Sequence, residues 1–280
     1  MKTVLDVKNL TVCFRQEKAR FTLVDDVSFA VAEGECLGIL GESGSGKSMT
    51  YKAFMRLLDS SFEVRGSARF DGKELLSASN EAMRRLRGSR VCMILQNPMT
   101  CFDPLYRIGA QMAEGFSEHL ALSGGTIREK CLETLSLMRI CNPEEVLEKY
   151  PHQLSGGMLQ RVMIGLALAM EPDLIIADEP TTAIDSITQY EIVQEFLRIK
   201  CECRTAMIFI SHDLGVVSRL ADRVLVMHDA KIKQSGTMRD ILNRPEDDYT
   251  RFLIEKKMTV MEKFVGIMTP DLGSLGRKTA

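Results

Sequence analysis

The sequence predicts an α/β fold, a mostly parallel sheet flanked by helices. Short apolar runs at Cys36–Leu40, Val91–Leu95, Leu174–Ala177 and Ala206–Ile210 fit strands buried on both faces. Segments with apolar residues at helical spacing stand between them, and strands alternating with helices point to a parallel sheet. The glycine-rich Gly41–Ser48 (GESGSGKS) joins one such strand to a helical segment. The chain has 280 residues, 45% hydrophobic and 26% charged, which excludes disorder over most of its length.

The elements follow in order. Val27, Phe29 and Val31 alternate with Ser28, Ala30 and Ala32, the period of a half-buried strand in a β-rich N-terminal third. Glu33-Gly34 makes a turn, and Met49–Leu58 is helix-like. Phe70-Asp71-Gly72-Lys73 carries the Asp-Gly hairpin signal. Between Leu105 and Tyr150 the period changes: Ile127, Cys131, Leu135 and Met138 fall at helical spacing. This predicts a mostly helical subdomain, residues about 98–160, inserted into a domain spanning 1–254. Helices over about Gly156–Met170 and Ile187–Lys200 separate the next strands. Val224–Met227 pairs with Lys231–Gln234 as a hairpin, and a last helix covers Met238–Lys257. Residues 255–280 read as a short extension with a frayed end.

Charge and composition narrow the partners. Lys+Arg 36 against Asp+Glu 38 gives −2, so no basic field exists to hold nucleic acid. The longest apolar stretch, Val162–Met170, is far shorter than the roughly 20 residues of a membrane span. Asp6 and Lys8 interrupt any apolar leader, and the eight cysteines are scattered, which fits reduced thiols in a cytoplasm. Any service to a membrane is expected from the inside, through partners.

Three motifs carry chemistry. In Gly41, Glu42, Ser43, Gly44, Ser45, Gly46, Lys47 and Ser48 the glycines let backbone N–H groups turn inward around phosphates, and the helix starting near Met49 adds a favourable dipole. Lys47 is placed to reach the β- and γ-phosphates, and the Ser48 hydroxyl to sit on Mg²⁺. Leu174–Glu179 (LIIADE) is an apolar strand ending in two carboxylates: Asp178 for the Mg²⁺ shell, Glu179 to orient and deprotonate water. Leu154–Gln160 (LSGGMLQ) opens a helix with Ser155 at the N-cap and Gly156-Gly157 baring first-turn N–H groups, a second anion site.

GESGSGKS, Gln96, LSGGMLQR, LIIADEP and His212, in this order and spacing, resemble the nucleotide-binding subunits of ABC transporters, from Leu5 to about Leu253. The resemblance implies a P-loop NTPase fold with an N-terminal β-subdomain and an inserted helical subdomain. It also implies ATP and Mg²⁺ as cofactors. Phe14, or its rival Phe21, would stack on adenine. Gln96 would join the Mg²⁺ shell and couple nucleotide to the membrane partner. His212 would contact the γ-phosphate, and Asp185 would lie in the loop crossing a dimer interface. Ser155, Gly156 and Gly157 would serve ATP held by a second ATPase subunit, a paralogue in this subfamily. Two transmembrane permease subunits and an extracytoplasmic binding protein would complete an importer, with this chain peripheral on the cytoplasmic face. Taken singly, His212 and Phe14 also fit ordinary core positions. A non-transport relative in DNA repair or translation fits less well, since one cassette is present without a long coiled coil.

QNPMTCFDP (96–104), ADEPTTAIDSITQ (177–189) and RPEDDYTRFL (244–253) resemble the peptide/nickel importer subfamily. Leu159 in SGGMLQR and the lack of cysteines beyond Cys203 look more like its nickel and metallophore branch, with di- or oligopeptide import the runner-up. Ile184, Cys101 and Asp229-Ala230 depart from the pattern, the last where a glycine-containing turn is common. The seventeen methionines read as core fillers, Cys201-Glu-Cys203 lacks two further ligands, and Arg84, Arg85, Arg87 and Arg90 read as a solvated basic face.

Overall fold

The computed structural model describes residues 2–16, 19–120, 123–181, 186–202 and 204–256. In chain order, β1 (Thr3–Gln16), β2 (Ala19–Ala32) and β3 (Cys36–Leu40) lead into α1 (Lys47–Phe54). Then come β4 (Phe62–Phe70), β5 (Lys73–Glu74), α2 (Asn80–Leu86) and β6 (Val91–Ile94). Four helices follow: α3 (Ile108–His119), α4 (Gly124–Leu137), α5 (Pro143–Glu148) and α6 (Gly156–Ala169). The last part runs β7 (Leu174–Asp178), α7 (Ser186–Glu202), β8 (Ala206–Ser211), α8 (Leu214–Leu220), β9 (Arg223–His228), β10 (Lys231–Gly236) and α9 (Met238–Asn243).

Two sheets result. An antiparallel one has the order β2-β1-β4-β5, and a six-stranded one has the order β10-β9-β3-β8-β7-β6. In the second, β9, β3, β8, β7 and β6 are parallel and β10 is antiparallel at the edge. The apolar runs are continuous because both faces are covered. Leu37, Ile39, Ile176, Ile208 and Ile210 point into a core shared with the antiparallel sheet and with Tyr51 and Phe54 of α1. Cys36, Leu40, Ile175, Ala177, Met207 and Phe209 alternate into a second core with Phe116, Leu159, Ile164 and Phe196 from the helices. This is the expected α/β architecture. Met163, Met207 and Met227 are buried in these cores, as filler.

Several boundaries differ from the sequence reading. The helix after the glycine-rich loop starts at Lys47 and ends at Phe54. The last helix is broken: α9 stops at Asn243, and residues 248–256 are helical again. Pro245 accounts for the break, since a proline disfavours helical backbone before it and donates no N–H. Strands β1 and β4 and helices α2 and α8 are additional to the elements expected from periodicity. Arg87 is no solvated charge: it donates to the Met55 and Arg56 carbonyls just past the end of α1.

Candidate active site

Parallel strands deliver their C-terminal ends to one edge, which is why residues far apart in sequence converge there. In the adjacent strands β3, β8, β7 and β6 those ends lead to Gly41, His212, Asp178-Glu179 and Gln96. All of these line one cleft of about 790 Å³, together with Lys47, Ser48, Met49 and Leu23.

The glycine-rich loop is built by close approach. Gly46 has φ +99°, and a Cβ there would lie 2.5 Å from the Leu23 carbonyl oxygen of β2. A Cβ on Gly41 would lie 2.3 Å from the Met227 carbonyl of β9. Side chains are excluded at both positions. Lys47 is buried and donates to the Gly41 and Glu42 carbonyls, both at 2.8 Å. Burial lowers its pKa, while the carboxylates of Glu179, Asp178 and Glu42 push the other way. The loop's other members Ser43 and Gly44 are exposed, and Ser45 is buried.

Asp178 is the last residue of β7, and Glu179 adopts φ +48°. That left-handed step breaks the strand's alternation, so consecutive carboxylates face the same cleft. Holding a non-glycine residue there costs about 1–2 kcal/mol; the Glu179 N–H to Ile210 carbonyl bond, 2.9 Å, ties the step to β8. Ser48 Oγ donates to Asp178 Oδ2 at 2.8 Å, and the Tyr51 phenol donates to the same oxygen at 2.9 Å. Burial, with Asp178 beside it, pushes the Tyr51 pKa upward, so the phenol stays a donor. Gln96 Nε2 lies 3.3 Å and His212 Nδ1 3.2 Å from Glu179 Oε2.

Two carboxylates beside a triphosphate site repel their ligand unless a cation lies between. A serine hydroxyl on a carboxylate is an oxygen-donor pair fit for Mg²⁺, which commonly takes one or two protein ligands plus phosphate and water. The residues therefore fit ATP with Mg²⁺.

Not every expected residue comes to the cleft. Phe14 does not line it: its ring packs on Phe62, with centroids 5.1 Å apart, and Phe21 pairs across from it on β2, half-exposed. The reason is register: Phe62, Phe14 and Phe21 form one cross-strand row, while Leu23 reaches the cleft wall. Ser155, Gly156 and Gly157 open α6 away from the cleft, with Ser155 Oγ accepting the Met158 N–H at 3.2 Å. Asp185 lies outside the described residues. Sequence reading missed Tyr51, although it stands one helical turn beyond Lys47. It also missed Leu253 and Lys256, which line the cleft from the C-terminal helical residues.

Residues 24–182 match the family model described as ABC transporter. The chain is 42% identical over 270 residues to the ATP-binding protein of a metal-staphylopine import system from Staphylococcus aureus, covering 96% of this chain and 99% of that one. It is 44% identical over 253 residues to a dipeptide transport ATP-binding protein from Haemophilus influenzae, covering 90% and 76%. Among solved structures, it resembles a dimeric ATP-binding cassette in a post-hydrolysis state with ADP and Pi, at TM-score 0.75 and 26% identity over 84% of this chain and 99% of that one. With phosphate loop, paired carboxylates and family model in agreement, the chain belongs to the ABC transporter family and carries its ATP-hydrolysing cassette.

Proposed function

We propose that the chain hydrolyses ATP to power an importer from the cytoplasmic face of a membrane. The observation that carries the site is the ring Lys47, Ser48–Asp178 and Gln96/His212–Glu179 in one cleft. The loop N–H groups, Lys47 and the start of α1 bind the β- and γ-phosphates. Ser48, Asp178 and Gln96 would hold Mg²⁺, which would neutralise phosphate charge. Glu179 takes the proton of the attacking water, and Gln96 and His212 fix the carboxylate's aim. Ser155, Gly156 and Gly157 serve ATP on a second ATPase subunit, so the chemistry needs two subunits closed head-to-tail.

No helix among the described residues is long and apolar enough to cross a membrane. Contact with two permease subunits is assigned to the segment after Gln96, where Met99, Leu105 and Tyr106 are exposed. An extracytoplasmic binding protein would supply the substrate, and no nucleic acid is involved. For the substrate we favour nickel or another metal in chelated form, supported by likeness to the metal-staphylopine subunit along 96% of the chain. Leu159, the branch marker, is fully buried in α6, so it marks a packing choice and touches no cargo. Short peptides are the second reading, favoured by the dipeptide relative. The test is ATPase stimulation in the purified complex with its binding protein. A metal–chelate should stimulate turnover and dipeptides should not; the reverse pattern installs the peptide reading.

A further inference from the structure

The C-terminal helical residues are built onto the phosphate loop. Gln234 of β10, nearly buried, donates to the Arg244 carbonyl and accepts the Glu246 N–H, both at 3.0 Å, which fixes the chain around Pro245. Asp247 then caps the new helix through the Tyr249 N–H at 2.9 Å. The Tyr249 ring stacks on His228 at the end of β9, centroids 3.7 Å apart and planes 11° apart. Its phenol oxygen accepts the Glu42 N–H at 3.1 Å.

Tyr249, Leu253 and Lys256 follow the i, i+4, i+7 spacing of one helix face. Leu253 and Lys256 line the nucleotide cleft, and Lys256 Nζ lies 3.1 Å from Glu42 Oε1. Glu42 is thus gripped twice from one helix: its N–H by Tyr249, its carboxylate by Lys256. The grip falls where the loop needs it, because Glu42, Ser43 and Gly44 are exposed.

We propose that Tyr249 is a positioning residue for ATP, holding the first turn of the phosphate loop through Glu42, and that Leu253 and Lys256 form the outer wall of the nucleotide site. Tyr249 acts on affinity: it pre-orders donors that otherwise order only when ATP arrives. This rests on ATP occupying the cleft. The wall makes residues 244–256 part of the active site.

Tyr249→Phe keeps the ring on His228 and removes only the acceptor. In the full-length chain, its ATP dissociation constant should rise about two- to tenfold, as for loss of one hydrogen bond. The Glu42 amide should exchange with deuterium faster, and turnover at saturating ATP should change less than affinity. Lys256→Gln should raise the dissociation constant by a smaller factor that shrinks as salt screens the charge. A purely structural tyrosine would lower the melting temperature and leave ATP affinity alone; that result overturns the proposal, as does lost turnover at unchanged affinity. Lys47→Ala separates the two readings. If it binds ATP normally, the cleft itself is misassigned; if it loses ATP while Tyr249→Phe binds as wild type, only the wall fails.

Discussion

Two glycine-rich helix starts obey the same local rule and end up in opposite surroundings. At α1, Gly46 is buried under the Leu23 carbonyl, and the helix start lines a cleft that also holds Asp178, Glu179, Gln96 and His212. At α6, Ser155 and Gly156 are exposed, and a Cβ on Gly156 would meet nothing within 4 Å. Both ends offer first-turn N–H groups and a favourable dipole to an anion. Only the first has carboxylates beside it, Asp178 and Glu179. On the proposed reading, anion binding and catalysis separate here: the α6 start would be half a site, completed when another subunit brings phosphate and carboxylate to it.

The comparison breaks most sharply at Glu179. Glu179→Gln should retain ATP binding and lower turnover on the order of 10²–10⁴-fold, the usual loss of a general base. Single-turnover measurement checks it, and a variant within a few-fold of wild type removes Glu179 from the mechanism. Ser155→Arg should act at the other start. It fills the exposed cradle, so this chain's own ATP affinity should stay unchanged, while turnover of the paired assembly falls on the order of 10²–10³-fold, as for a lost oxyanion donor. If Ser155→Arg instead weakens ATP binding by the lone chain, the two starts serve one nucleotide and the contrast collapses.

Much of this was legible in the sequence, for a physical reason. GESGSGKS and LIIADE are local: loop curvature, strand and adjacent carboxylates all follow from neighbours in the chain. The doubly buried strands were equally plain, because parallel packing demands unbroken apolar runs like Ala206–Ile210. What escaped depends on register and return paths. The family resemblance puts Phe14, or Phe21, on adenine, yet strand pairing turns Phe14 onto Phe62. Tyr51 hides among ordinary helix residues until Asp178 arrives from a distant strand. Pro245 was visible and should have stopped the last helix. The contact of Tyr249 with Glu42 joins positions 207 residues apart, and no local pattern announces it.

The smallest expected effect concerns how the walled start is held in place. The β9–β10 turn needs left-handed backbone at both central residues, with Asp229 at φ +48° and Ala230 at φ +64°. Hairpins of this kind favour glycine there. Ala230 is also part of the enclosure: its carbonyl accepts the Asp25 N–H at 2.7 Å, and its Cα lies 3.6 Å from where a Gly46 Cβ would be. Left-handed alanine costs about 1–2 kcal/mol, while glycine's extra freedom in the unfolded chain returns about 0.5–1 kcal/mol of that. The left-handed term wins, so Ala230→Gly should stabilise the fold by about 0.5–1 kcal/mol. For a domain of this size that raises the melting temperature by roughly 1–4 °C. Thermal unfolding with and without ATP tests it: the increment should persist when nucleotide is bound, because the strain belongs to the turn. An unchanged or lower melting temperature would mean that the turn is not strained, and that enclosure of the α1 start rests on the glycine contacts alone.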